Sequence, residues 1–197
     1  MLFRSQSVHN LDLWQWIFGM PKRVRAFAYE GQYHHIEVED DATIFAEYDN
    51  GATALFIAST GEAPGENRLA IALDKGRIVV EDGKLTVWRG EQSTAKYTYQ
   101  SESAFSAPAF MKSEEKPKEK ETAHAGILQD FTNAVLHGTP LLAPGTDGIF
   151  ALSLCNAALL STWTDDWVEL PIDGAVYKKW HESKIEHSVM PKKKRCV

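Results

Sequence analysis

The feature that most constrains this sequence is a succession of short apolar runs parted by tight polar turns. Thr43 to Tyr48 and Ala52 to Ile57 flank Asp49-Asn50-Gly51, and Arg68 to Leu73 is joined to Arg77 to Glu81 by Asp74-Lys75-Gly76. Asp82-Gly83-Lys84 then leads into Leu85 to Trp88. Asn-Gly between two such runs is a strong hairpin signal, because these residues tolerate the positive φ that the tight turn demands. So short a connection joins antiparallel neighbours, since a parallel pair needs a crossover of a dozen or more residues. The middle of the chain is therefore predicted to be an antiparallel meander. Val24, Ala26 and Ala28 alternate with charged or bulky residues, the pattern of a half-buried strand, and Val38 follows before the meander. Residues 89 to 110 continue the strand pattern weakly, with Tyr97 and Tyr99 on one face of a further strand.

Helical spacing appears on either side of the meander. Leu11, Trp14 and Phe18 recur with that period within Gln6 to Phe18, and Gly19-Met20-Pro21 stops the helix. Ile127, Leu128, Phe131 and Val135 form one stripe within Ala125 to Leu136, ended by Gly138, and Thr146 to Trp163 fits another helix. Val168 to Ile172 reads as a short strand ending at Asp173-Gly174. Strands followed by helices give an α+β class, an open and mainly antiparallel β-sheet with helices packed on one face. Apolar residues at both parities of several strands leave the second face needing cover, which predicts a homo-oligomer through the open sheet face. Residues 1–180 are expected to form one domain, containing a charged loop at about 111–123. Residues 181–197 are read as a basic C-terminal tail, with Pro191-Lys192-Lys193-Lys194-Arg195 a solvated run rather than an import signal.

Bulk properties narrow the function. A chain of 197 residues with 44% hydrophobic content can form a core without disulfides or a structural metal. Its formal net charge of -6 argues against a nucleic-acid partner, which would call for a basic face. Cys155 and Cys196 give no metal-ligand spacing, and no apolar stretch approaches the roughly 18 residues of a membrane span. The first seven residues lack the basic-then-apolar order of a secretory signal. The expected location is cytoplasmic, with neither a membrane nor a metal involved.

The densest polar segment is Ser5-Gln6-Ser7-Val8-His9-Asn10-Leu11-Asp12. His9 and Asp12, three apart, occupy neighbouring positions on a helix; a histidine there exchanges protons near neutral pH and a carboxylate can orient its ring. On spacing alone, a helix cap with a surface histidine is the alternative. The loop from Thr60 to Arg68 ends in Asn67 and Arg68, donors suited to sugar hydroxyls, or else is an ordinary hairpin loop. His34 and His35 would point to opposite faces of an extended strand and suit a metal poorly. His124 precedes a helix.

The segment His9-Asn10-Leu11-Asp12-Leu13-Trp14-Gln15-Trp16-Ile17-Phe18-Gly19-Met20-Pro21 resembles the start of the C-terminal domain of the Gfo/Idh/MocA oxidoreductases. Tyr33 to Asp41, Ser59 to Arg68, Gly76 to Leu85, His124 to Gly138 and Pro144 to Leu160 are similar to its successive elements, in the same order. The resemblance covers Gln6 to about Tyr177. It implies a domain that binds a sugar, polyol or inositol-like substrate and builds the oligomer, beside a Rossmann domain that holds NAD or NADP. It also implies that His9 is the acid/base that takes the proton from the substrate hydroxyl, with Asp12 as its partner. By that resemblance Ser5 and His124 fall at substrate-side positions, although Ser5 stands where many members carry an acidic or amide residue; Asn67 and Arg68 join them as substrate-binding candidates through their donors alone. No Gly-x-Gly-x-x-Gly follows a strand in these 197 residues, so this chain alone is expected to bind no nicotinamide cofactor and to need a separate Rossmann subunit. A non-catalytic sugar-binding or oligomerisation module, or a truncated inactive gene product, is the alternative.

Overall fold

A computed structural model describes residues 2–103, 105–116 and 123–189. Helices α1 (Leu2–Ser5) and α2 (Val8–Phe18) precede strands β1 (Arg23–Glu30), β2 (Glu39–Glu47) and β3 (Thr53–Ser59). Strands β4 (Arg68–Leu73), β5 (Gly76–Glu81) and β6 (Lys84–Gly90) follow, then α3 (Thr94–Gln100) and β7 (Phe110–Glu115). The chain ends its described part with α4 (Ala123–His137), α5 (Gly148–Thr164), β8 (Val168–Glu169) and α6 (Gly174–Glu186).

The α+β reading holds, with one refinement: the strands form two four-stranded antiparallel sheets, ordered β3-β2-β1-β8 and β4-β5-β6-β7. The chain divides accordingly into two compact units, residues 1–62 with 130–197, and residues 63–129.

In the first unit the strand alternation decides which side is covered. Val24 and Ala26 on β1, and Ala42, Ile44 and Ala46 on β2, are buried with Leu154, Cys155, Ala157 and Ala158 of α5 and Leu11 and Trp14 of α2. Alanines along β1 and β2 let the helix approach closely, while Ile44 and Leu154 supply volume. Helix α5 also ends the sheet. Strand β8 pairs with β1 only at Arg23 and Val24, so the next main-chain groups of β1 would have no ladder partner. Ser161 Oγ accepts from Ala26 N at 2.9 Å and Thr162 Oγ1 from Ala28 N at 3.0 Å, and Thr162 Oγ1 donates back to Ala26 O at 3.3 Å. Main-chain donors left bare in so buried a place would cost stability, and these two hydroxyls satisfy them.

The predicted turns form by two mechanisms. Asp82 and Gly83 both take positive φ, 51° and 71°, as a two-residue hairpin requires. At Asn50-Gly51 only the glycine does, with φ 82°. There Gly51 N bonds Tyr48 O, Tyr48 N bonds Ala52 O (both 3.0 Å), and Asn50 Oδ1 accepts from Ala52 N at 3.0 Å, giving a three-residue turn with a glycine bulge.

Two expectations give way in the second unit. Tyr97 and Tyr99 lie on helix α3 rather than a strand, because Ser93 Oγ caps Lys96 N at 3.0 Å and Asp74 Oδ1 takes Ala95 N at 3.0 Å. The charged loop begins later than expected, since its first residues form β7, paired with β6 from Gly90↔Phe110 to Leu85↔Glu115. Charged side chains suit that position, the edge of the second sheet. Residues 117–122 of the loop lie outside the described residues. So does the tail from residue 190, although α6 carries regular structure past position 180 to Glu186.

Candidate functional site

Helix α2 turns Leu11 and Trp14 inward, where the Trp14 ring stacks on Phe56 with centroids 5.9 Å apart. That anchoring presents the opposite side of the helix to solvent, and His9, Asp12, Leu13, Trp16 and Ile17 all lie on it exposed. Trp16 is 76% exposed, a large apolar surface beside the proposed acid/base. Asp12 Oδ1 accepts from Gln15 Nε2 at 3.0 Å, so the carboxylate engages the next turn of its own helix and not the His9 ring. His9 thus stands free to meet a ligand, without an orienting carboxylate among the described residues. Ser5 is exposed in α1, whose junction with α2 is tied by Ser7 Oγ donating to Leu2 O at 3.1 Å.

The other three sequence candidates belong to the second unit. Asn67 is exposed before β4. Arg68 opens that strand with its Nε 3.3 Å from Glu81 Oε1 and 3.9 Å from Glu66 Oε1, so its charge is already shared between two carboxylates. His124 is not ahead of a helix but inside the first turn of α4, exposed. Ser5, His9 and Asp12 therefore sit in one unit and Asn67, Arg68 and His124 in the other, and neither unit by itself collects all six.

The structure adds a cluster that residue spacing did not reveal. The loop between β1 and β2 is wound around Asp40, whose carboxylate accepts from Gln32 N at 3.0 Å, Tyr33 N at 2.8 Å and His34 N at 3.0 Å. His34 Nδ1 stands 3.3 Å from Asp40 Oδ2 and 3.3 Å from Thr60 Oγ1. Burial raises the Asp40 pKa, but these donors together outweigh it and hold the carboxyl below the ordinary value. Tyr33 covers Gly61, where a Cβ would come within 2.5 Å of the ring. His34 and His35 lie in this loop rather than on a strand, both exposed. Five residues separate His34 from Asp40, so only the folded loop joins them. Tyr48, half-buried against the core, has its phenol pushed up to about 12 by burial and keeps its proton at neutral pH.

Both sheets are antiparallel throughout, and no glycine turn leads from a parallel strand into a helix N-terminus among the described residues. Among them, too, no three His, Cys, Asp or Glu side chains are grouped to hold a metal ion, and no helix is long and apolar enough to cross a membrane.

Residues 1–79 match the family described as GFO/IDH/MocA C-terminal domain. No curated protein sequence matches the chain. Among solved structures, the chain is similar to the WlbA dehydrogenase from Bordetella pertussis in complex with NADH and UDP-GlcNAcA, with TM-score 0.64 and 20% identity over 87% of this chain and 46% of that one. It is similar also to the UDP-N-acetylglucosamine 3-dehydrogenase GnnA from Acidithiobacillus ferrooxidans, with TM-score 0.62 and 19% identity over 81% and 46%. The aldose-aldose oxidoreductase from Caulobacter crescentus complexed with glycerol gives TM-score 0.65 and 16% identity over 83% and 46%. The chain spans somewhat under half the length of these proteins.

Proposed function

We propose that this chain, whose residues 1–79 match the GFO/IDH/MocA C-terminal domain family, supplies the substrate side of a nicotinamide-dependent sugar or polyol oxidoreductase. The observation that carries the reading is its fold, which corresponds over 87% of its length to under half of a dehydrogenase whose complex contains a nucleotide sugar and NADH. In such a reaction a C–H and an O–H bond of one carbinol are broken together. His9, exposed on α2, takes the hydroxyl proton, while the electron pair and hydrogen of the C–H bond leave to a nicotinamide held by a Rossmann domain outside these residues. Ser5, in the same unit as His9, is proposed as a substrate contact, and Asp12 as a structural neighbour that fixes Gln15.

The exposed side of α2 suits that arrangement. His9 shares it with Leu13, Trp16 and Ile17, an apolar stripe that a nucleotide-binding domain would cover while bringing the substrate carbon to the histidine. The outer face of the first sheet supports the homo-oligomer: Phe27, Tyr29, Phe45, Leu55 and Ile57 are exposed there, opposite the side sealed by α5.

The test is a dehydrogenase assay of the chain co-expressed with a Rossmann-domain partner from its own genome. His9→Ala is expected to lower kcat about 100-fold with KM little changed, the usual scale for losing a general base. Full turnover by the variant would reject the assignment. Calorimetry of the chain alone with NADH is expected to give no heat of binding at submillimolar concentration.

A further inference from the structure

The first unit contains a pocket of about 520 Å³ lined by none of the six sequence candidates. Its walls come from the end of β1, the start of β2, α5 and α6. Trp163 of α5 stacks on Tyr177 of α6 with centroids 5.6 Å apart and planes 28° from parallel, and Tyr177 stacks in turn on His181 at 5.8 Å and 13°. All three line the cavity, which gives it a continuous aromatic wall.

Three carboxylates share the cavity, Glu30, Glu37 and Glu39, against one ammonium, Lys184. Lys184 Nζ is spent on Glu30 Oε1 at 3.1 Å. Glu37 receives Ser188 Oγ and the main-chain N–H of Val189. Glu39 differs from both. Its residue is only 5% exposed, its Oε1 accepts from Phe3 N at 3.0 Å, and its second oxygen has no hydrogen-bond partner among the described residues although the side chain lines the pocket. A carboxylate so buried loses most of its hydration and calls for a charge or donors in return.

From this cavity we infer a binding site for a small ring-bearing primary amine, its ammonium on Glu39 and its ring against Trp163, Tyr177 and His181. The ammonium supplies the donors and the positive charge that Glu39 lacks. The aromatic wall favours a cation and a flat or saturated ring alike, because its π-face is negative and its surface apolar. A carboxylated or phosphorylated ligand would meet the net negative charge of the walls and be excluded. The site is built wholly within the first unit and is independent of the oxidoreductase reading, since it uses none of the six sequence candidates.

The test is titration of the whole chain, followed by tryptophan fluorescence and calorimetry, with tyramine and with glucosamine as two amines of different ring type. The neutral 4-ethylphenol and the anionic 4-hydroxyphenylacetate serve as matched controls. At least one amine is expected to saturate with an affinity tenfold or more above its uncharged or acidic counterpart. Glu39→Gln keeps an acceptor for Phe3 N and removes the charge, and is expected to weaken the amine at least tenfold while leaving the circular dichroism unchanged. Trp163→Leu, which keeps the site apolar, is expected to weaken it severalfold and provides the second reading if Glu39→Gln fails to fold. Tyramine saturating and glucosamine not would assign the ring as aromatic; the reverse would assign an amino sugar. Equal binding of the neutral control, or unchanged affinity in a folded Glu39→Gln, would overturn the inference.

Discussion

The first unit seals one side of its sheet, burying Val24, Ala26, Ala42, Ile44 and Ala46 beneath α5, whereas among the strand residues of the second unit only Val79 is buried. The two have the same strand number and the same antiparallel order. In the second, Leu69 pairs with Val80, Ile71 with Ile78, Ile78 with Val87 and Val80 with Leu85, so the six aliphatic residues make one continuous face. That face is half-buried or exposed throughout. The contrast teaches that a hairpin meander acquires its register from turns and cross-strand pairs alone, but its stability from a covering layer. The first unit carries that layer in its own sequence.

The contrast can be broken most directly in the cores. Ile44→Ala is expected to cost about 3 kcal/mol of unfolding free energy, and Val79→Ala about 1.5 kcal/mol, from the buried methyl groups each removes. Urea titration with probes in both units measures the pair; equal losses would show that the second sheet is as fully covered as the first. Next in size, Leu55→Lys with Ile57→Lys on the outer face of the first sheet is expected to weaken self-association at least tenfold by sedimentation, with the fold retained. An unchanged oligomer would move the interface elsewhere, the aliphatic face of the second sheet being the next candidate.

The smallest effects concern two aspartates that hold loops. Asp40 binds the β1–β2 loop from a buried position. Asp74 is exposed; Ala95 N and Ser93 Oγ (2.9 Å) depress its pKa most, against the upward push of its partial burial. Both carboxyls titrate below their unfolded value of about 3.9, so each contributes stability above that pH and loses it as the pH falls through the lower folded value. Asp40→Asn and Asp74→Asn should each be less stable than the parent at pH 7, with the gap narrowing as the pH falls below the unfolded carboxylate value. Denaturation midpoints across pH 2–7 check this, and Asp40→Asn should show the larger gap because its site is dry.

Local chemistry made much of this legible. Asp82-Gly83 marked its turn because both residues take positive φ, and the alternation around Val24, Ala26 and Ala28 marked a strand covered on one side. Helix α3 was hidden because its caps, Ser93 and Asp74, lie outside the tyrosine pattern, one of them nearly twenty residues upstream. Strand β7 was hidden because its ladder is made of main-chain bonds that charged side chains do not announce. The candidate site divides likewise. His9 is proposed from its segment alone, whereas the Asp40 cradle and the Glu39 pocket depend on groups brought together only by folding.

The pair of hydroxyls from Ser161 and Thr162 on the flank of β1 has a consequence for assembly in a crowded cell. A foreign strand that approached there would have to displace a helix already bonded to the amides it seeks. Accretion of further chains by strand addition is stopped on that flank, which removes one margin that could otherwise lengthen into a fibre.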